Sequence, residues 1–155
     1  MSGRPVNVHA TAIRLGALGI LIRGPARSGK SSLALAALRR AEAAGLAAAL
    51  VADDQVFLES DGGSLVALAP AATRGLIEVS GVGILKEAFV ERAAIGLVVD
   101  LLEPGAVERL PERATIPVEG VETARIQLER REASLGADIL VSLAKRSGNT
   151  DLNQF

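Results

Sequence analysis

The chain has 155 residues, and 17 lysines and arginines against 18 aspartates and glutamates leave a formal charge of −1. That length fits one domain with a real core, and an apolar content of 49% lets it fold without metal or disulfide support. The absence of cysteine excludes disulfides, thiolate catalysis and cysteine-based zinc sites, and the absence of Trp and Tyr argues against stacking platforms for single-stranded nucleic acid.

No run of Lys and Arg makes a basic stripe, so no nucleic-acid partner is expected. Met1 to Val6 lacks the charged start, apolar stretch and cleavage site of a signal peptide. No apolar run reaches the roughly 20 residues needed to span a bilayer. A cytoplasmic protein with no membrane contact is the expectation.

Val6 to Ile13 alternates apolar and polar residues, and Leu18 to Ile22 is a continuous apolar run. They read as two strands joined by a turn at Gly16. Ser31 to Ala44 is rich in Ala and Leu and is followed by Gly45, a helix with its stop signal. Ala47 to Ala52 is a buried-type strand ending at Asp53 and Asp54. Val56 to Leu58 and Ser64 to Leu68 flank Asp61-Gly62-Gly63, a hairpin signal. Pro70 opens a loop into Gly75 to Val79, and the turn Gly81-Val82-Gly83 follows. Glu87 to Ala93 reads as a short helix, and Ile95 to Leu102 as a buried strand. Thr115 to Val118 and Val121 to Leu128 read as outer strands. Glu132 to Arg146 is a closing amphipathic helix with Leu135, Ile139, Leu140 and Leu143 on its apolar face. A polar tail covers about 147–155. One α/β domain with a mixed sheet and hairpins, spanning 1–155, is expected.

Gly24-Pro25-Ala26-Arg27-Ser28-Gly29-Lys30-Ser31 matches Gly-x4-Gly-Lys-Ser without a gap, between an apolar strand and a helix. Glycines allow a tight loop whose backbone N–H groups form an anion nest, and the helix N-terminus adds partial positive charge. Lys30 is expected to reach the β- and γ-phosphates of ATP, and the Ser31 hydroxyl to ligate Mg²⁺. Arg27 either reaches phosphate or points to solvent.

A site for Mg·ATP also needs carboxylates. Asp53 and Asp54 stand where a Walker-B acid stands, and adjacent residues at a strand end point to opposite sides. They either take separate catalytic roles or cap a turn. Glu78 is either exposed or aimed at metal or phosphate. His9, the single histidine, is either structural or a partner for a catalytic carboxylate. Asp100 ends a Val-rich strand and competes for the Walker-B role.

In this order, Val8 to Thr11, Gly24 to Ser31, Leu50 to Val56 and Arg74 to Ile84 resemble the catalytic domain of the HPr kinase/phosphorylase family. The stretch Gly75-Leu76-Ile77-Glu78-Val79-Ser80-Gly81-Val82-Gly83-Ile84 is the most specific part of the likeness. The resemblance implies a fold like that of phosphoenolpyruvate carboxykinase, and a kinase that transfers phosphate from ATP to a serine of HPr, a carrier protein of the bacterial sugar phosphotransferase system. It implies Asp53 as the general base with Asp54 beside it, and His9 as a further catalytic residue. Ser31, Asp54 and Glu78 would hold Mg²⁺, and Gly24 to Ser32 the nucleotide. The chain looks like the short alphaproteobacterial form without the family's N-terminal domain, and family members assemble as hexamers.

Several positions depart from the family pattern. Ser32 replaces a common Glu, Ser80 an Arg and Arg27 a loop glycine, and after Ile116-Pro117-Val118, where Gly-Arg-Asn is typical, this chain reads Glu119-Gly120-Val121-Glu122-Thr123. Loss of that arginine argues against the reverse, phosphorolytic reaction. Two other readings stay open: a P-loop kinase for a different acceptor, and a nucleotide-sensing regulator that has lost catalysis.

Overall fold

The computed structural model describes residues 4–109, 111–112 and 114–147. In chain order the strands are β1 (Val6–Val8), β2 (Thr11–Leu15) and β3 (Leu18–Arg23), followed by helix α1 (Lys30–Ala43). Then come β4 (Ala48–Ala52), β5 (Val56–Asp61), β6 (Ser64–Leu68), β7 (Leu76–Val79) and β8 (Gly83–Lys86). The chain continues through β9 (Arg92–Leu102), β10 (Ala114–Val118) and β11 (Val121–Glu129) to helix α2 (Ala133–Ser147).

Among the described residues nine strands make one curled mixed sheet, in the order β1-β5-β6-β9-β3-β2-β4, with β11 also on β9 and β10 on β11. β9 is the spine. Its first residues pair antiparallel with β6, and the rest pairs parallel with β3 and with β11. β2 runs antiparallel to both β3 and β4, so β3, β4, β9 and β11 all point one way. Their carboxyl ends gather at one edge, the usual place for a ligand crevice in such sheets.

The apolar runs are explained by cover on both faces. On one face Ile20, Ile22, Leu97 and Val99 pack under α1 and α2. On the other, Leu21, Val98, Leu58 and Ala67 form a second core closed by β5 and β6. The end of α1 is fixed by Gly45 at φ +83, where the Gly45 and Leu46 N–H groups bond back to Glu42 and Ala41.

Four expectations are corrected. Val6 to Ile13 is two strands, because the chain bends at His9 and switches from pairing β5 to pairing β3 and β4. Residues 87–91 are not helical and Arg92 already belongs to β9. Their backbone bonds go elsewhere: Glu87 N–H to Gly75, Val90 N–H to Leu50, and the Ala88 carbonyl to Leu50 N–H. In α2, Leu140 is buried as expected but Leu135 is 60% exposed. The face toward α1 is built from Gly136, Ala137 and Ala144, since a Cβ at Gly136 would meet Leu33 Cδ1 at 2.7 Å. Strand β8, which turns the Gly81–Gly83 stretch into a hairpin with β7, was not expected. Nor is β11 an outer strand, for it lies between β10 and β9. The polar tail from Gly148 lies outside the described residues. Among those described, no helix is long and apolar enough to cross a membrane.

Close packing of β3 on β9 depends on Gly19, where a Cβ would fall 1.9 Å from the Ala94 carbonyl oxygen. Gly19→Ala should therefore destabilise the fold by about 3 kcal/mol or more, because rigid backbone has to move. Gly62→Ala meets open space and only a left-handed φ of +59, so about 1 kcal/mol is expected. Urea unfolding of the two variants beside the parent checks the contrast.

Candidate active site

The end of β3 feeds directly into the loop of residues 24–29, and α1 starts at Lys30. Loop closure demands a glycine first: a Cβ at Gly24 would lie 2.5 Å from Ser28 Oγ and 3.2 Å from Leu101 Cβ. The loop ends on Gly29 at φ +91, the N-cap of α1. Arg27 also has a left-handed backbone, φ +65, which explains structurally why a glycine suits that position. Its side chain is exposed, as are Pro25, Ala26 and Ser32. Ser28 is fully buried, and its hydroxyl has no hydrogen-bond partner among the described residues.

Lys30 is buried, and its ammonium donates to the carbonyls of Gly24 and Pro25 at 2.9 Å each. Burial pushes its pKa below the ordinary value, while the charges of Asp54 and Asp53 oppose that shift. The lysine thus lies between the loop and the acid pair.

Asp53 and Asp54 follow β4 and differ in almost every respect. Asp53 is buried and its carboxylate accepts three hydrogen bonds. Thr11 Oγ1 and Ser31 Oγ donate to Oδ1 at 2.8 and 2.7 Å, and the Glu78 backbone N–H donates to Oδ2 at 3.1 Å. Asp54 is exposed, sits at φ +69, and accepts a hydrogen bond from His9 Nε2 at 2.5 Å. A carboxylate held on one oxygen by an imidazole has the other available to a substrate proton. Of Glu78, the backbone is what reaches Asp53, and the residue is exposed on β7.

The structure therefore brings His9, Lys30, Ser31, Asp53, Asp54 and the backbone of Glu78 together. Asp100 does not join them, which corrects its place as a competing Walker-B acid. Its carboxylate lies between two guanidinium groups, with Arg23 bidentate at 2.7 and 2.8 Å and Arg125 Nε at 2.5 Å. Burial raises its pKa, but the hydrogen bonds and charges of Arg23 and Arg125 outweigh that, and the net shift is downward.

Two contributors escaped the sequence reading. Thr11 looks like an ordinary β-branched strand residue, and its only signal is a hydroxyl at a buried strand position. Arg131, at φ +61, backs the phosphate loop: its N–H bonds to the Ser28 carbonyl and its Nε to the Arg27 carbonyl, both at 3.2 Å. No sequence spacing would have shown that contact.

Among the described residues no cluster of three or more His, Cys, Asp or Glu could hold a metal unaided. A hydroxyl and a carboxylate side by side at Ser31 and Asp53 nonetheless fit Mg²⁺, which keeps waters and phosphate oxygens as its other ligands. The donor set fits a metal that arrives with a nucleotide.

A family model described as the HPr Serine kinase C-terminal domain matches residues 3–135. The HPr kinase/phosphorylase of Clostridium botulinum is 33% identical over 78 residues, which is 50% of this chain and 24% of that protein. That of Clostridium acetobutylicum is 37% identical over 78 residues, with the same coverage of 50% and 24%. The matched stretch thus spans about a quarter of the length of these relatives. Among solved structures, the Hpr(Ser) kinase/phosphatase from Coxiella burnetii superposes with a TM-score of 0.78 at 25% identity. That match covers 94% of this chain and 99% of the other.

Asp100→Asn should cost about 1–3 kcal/mol at neutral pH, since it leaves two guanidinium groups without their shared anion in a partly screened setting. Because the folded-state pKa of Asp100 is depressed, its contribution is present above the unfolded value and lost as pH falls through the folded one. The gap between parent and variant in urea midpoint should thus be full at pH 7 and shrink below about pH 4. An unchanged gap at pH 3 would remove the ion-pair explanation.

Proposed function

The chain belongs to the HPr serine kinase C-terminal domain family, and from that premise we propose that it is an ATP-dependent serine kinase acting on HPr or a related phosphocarrier in the cytoplasm. One observation carries the reading: the P-loop serine and the acid pair form a single unit through the 2.7 Å bond between Ser31 and Asp53. Beside that unit, Asp54 stands exposed and oriented by His9.

The roles follow from burial. Asp53 is enclosed with its oxygens occupied by Thr11, Ser31 and Glu78, so it would be the metal-side acid, holding Mg²⁺ together with Ser31. Asp54 is accessible, so it is the base. This reverses the assignment expected from the resemblance, which gave Asp53 the base and Asp54 a place on the metal.

The acceptor hydroxyl passes its proton to Asp54 while its oxygen bonds to the γ-phosphorus. The bond from that phosphorus to the bridging oxygen breaks, and the charge leaves with ADP. His9 keeps the Asp54 carboxylate turned toward the acceptor. Lys30 exchanges its contacts with the Gly24 and Pro25 carbonyls for phosphate oxygens, and the N-terminus of α1 stabilises the same charge. Mg²⁺ held by Ser31 and Asp53 would neutralise charge on the phosphate oxygens.

The reverse reaction is expected to be weak. In the stretch that stands in place of the family's Gly-Arg-Asn, Glu122 spends its carboxylate on a 3.0 Å bond from Thr115 Oγ1 across the β10–β11 pair. A self-associated form, as in the hexamers of the family, belongs to the same reading.

The test is transfer of labelled phosphate from Mg·ATP to HPr-type carriers. Asp54→Asn should lower kcat by roughly 10²- to 10⁴-fold with ATP affinity nearly unchanged, the range for removal of a general base. Asp53→Asn should instead raise the Mg²⁺ concentration needed for half-maximal rate. If Asp53→Asn abolishes transfer at saturating Mg²⁺ while Asp54→Asn retains it, the roles are the other way round. ATP binding with no transfer to any carrier would identify a nucleotide sensor instead.

A further inference from the structure

The acids that serve the terminal phosphate all lie to one side of β3. Its neighbour on that edge is β2, with β4 beyond, and these strands supply Thr11, Asp53 and Asp54. The opposite edge of β3 is covered by β9, and β9 by β11. If the γ-phosphate of a nucleotide laid along the loop faces the acids, the side left for its nucleoside is the one toward the carboxyl ends of β9 and β11.

On that side the surface is concave. A groove of about 170 Å³ is lined by the apolar side chains of Val107, Leu128, Leu135 and Ile139, with Gln127, Glu129 and Glu132 as its polar groups. It is continuous with the phosphate loop. A narrower cleft that reaches Gly29 and Leu33 shares Leu128, Glu132 and Gly136 with it. The 60% exposure of Leu135, the feature that departs from the expected helix face, now has a reason. Apolar lining with a few polar groups is the ordinary make-up of a small-molecule pocket.

We infer that this groove receives the adenine base of the ATP whose phosphates the P-loop holds. The inference rests on the ATP reading above. Among the described residues no aromatic lines the groove, so a flat base there would rest on the aliphatic side chains of Val107, Leu128, Leu135 and Ile139. The Glu132 carboxylate offers an acceptor to the exocyclic amino group of the base.

Calorimetric titration with ATP and with inorganic tripolyphosphate, both with Mg²⁺, separates base from phosphates. Unaltered protein should bind ATP more tightly than tripolyphosphate. Leu135→Asp, a surface change whose folding is checked by thermal melt, should weaken ATP by about tenfold or more through lost apolar burial and leave tripolyphosphate unchanged. Photolabelling with 8-azido-ATP gives a readout independent of the variant, and label should fall on 107 or 128–139. Equal affinity for the two ligands, an unaltered ATP affinity in Leu135→Asp, or label on 76–86 overturns the groove while leaving the phosphate loop standing. If neither ligand binds, the ATP reading itself fails and the groove falls with it.

Discussion

Asp53 is a charge held inside the protein, and much of the site depends on how that charge is satisfied. Its three donors come from different elements: a hydroxyl from β2, a hydroxyl from the first turn of α1 and an amide from β7. An isolated carboxylate at such a depth would lose several kcal/mol of solvation, so the donors are a condition for placing it there. They also fix geometry. With β4 ending at Asp53, the neighbouring Asp54 is thrown to the opposite side and into solvent, where a left-handed φ of +69 turns it toward His9. The bend at His9 between β1 and β2 belongs to the same arrangement, because it is what lets the histidine reach across 45 residues of sequence.

The edge on which this happens is kept electrostatically sorted. Asp100 also lies near the carboxyl end of a strand that points toward the site, yet Arg23 and Arg125 hold it in a separate cluster. The Arg23–Asp100–Arg125 cluster has two guanidinium groups for one carboxylate, while Asp53 and Asp54 are both acids. Lys30 feels the charge of both aspartates of that pair. The acids at this edge therefore stand in two separate settings, one paired with arginine and one beside Lys30. The second setting suits a polyanion accompanied by a cation.

Local signals made much of this legible. The phosphate loop and the strand-to-helix passage around it follow from glycine spacing and apolar runs, and the aspartate pair follows from its place at a strand end. What stayed hidden is tertiary. Glu87 to Ala93 carries a helical composition, but its backbone groups are claimed by Gly75 and Leu50, far away in sequence. On α2, Leu140 is buried and Leu143 packs on the core as the pattern implies, and only Leu135 departs from it. The closest helix contact needed Gly136 beneath Leu33 and left Leu135 outside. The different environments of Asp53 and Asp54 could not be read from two identical adjacent letters, and the donors that distinguish them lie 42 residues before Asp53, 22 before it and 25 after it.

The groups expected to meet a nucleotide are already committed to protein partners. Lys30 is on the loop's own carbonyls and the Ser31 hydroxyl is on Asp53. Binding is then an exchange of hydrogen bonds, with little new desolvation of the lysine, and the net gain depends on what replaces each partner. A lone phosphate can satisfy Lys30 but gives Ser31 no reason to leave Asp53. A cation can draw both Ser31 and Asp53 to itself but does nothing for Lys30. Only a ligand that brings phosphate oxygens and a divalent cation together repays both exchanges at once. The coupling lies in the 2.7 Å contact between Ser31 and Asp53, so on the proposed reading the preference for a metal-bound polyphosphate would come from the loop before any base is recognised.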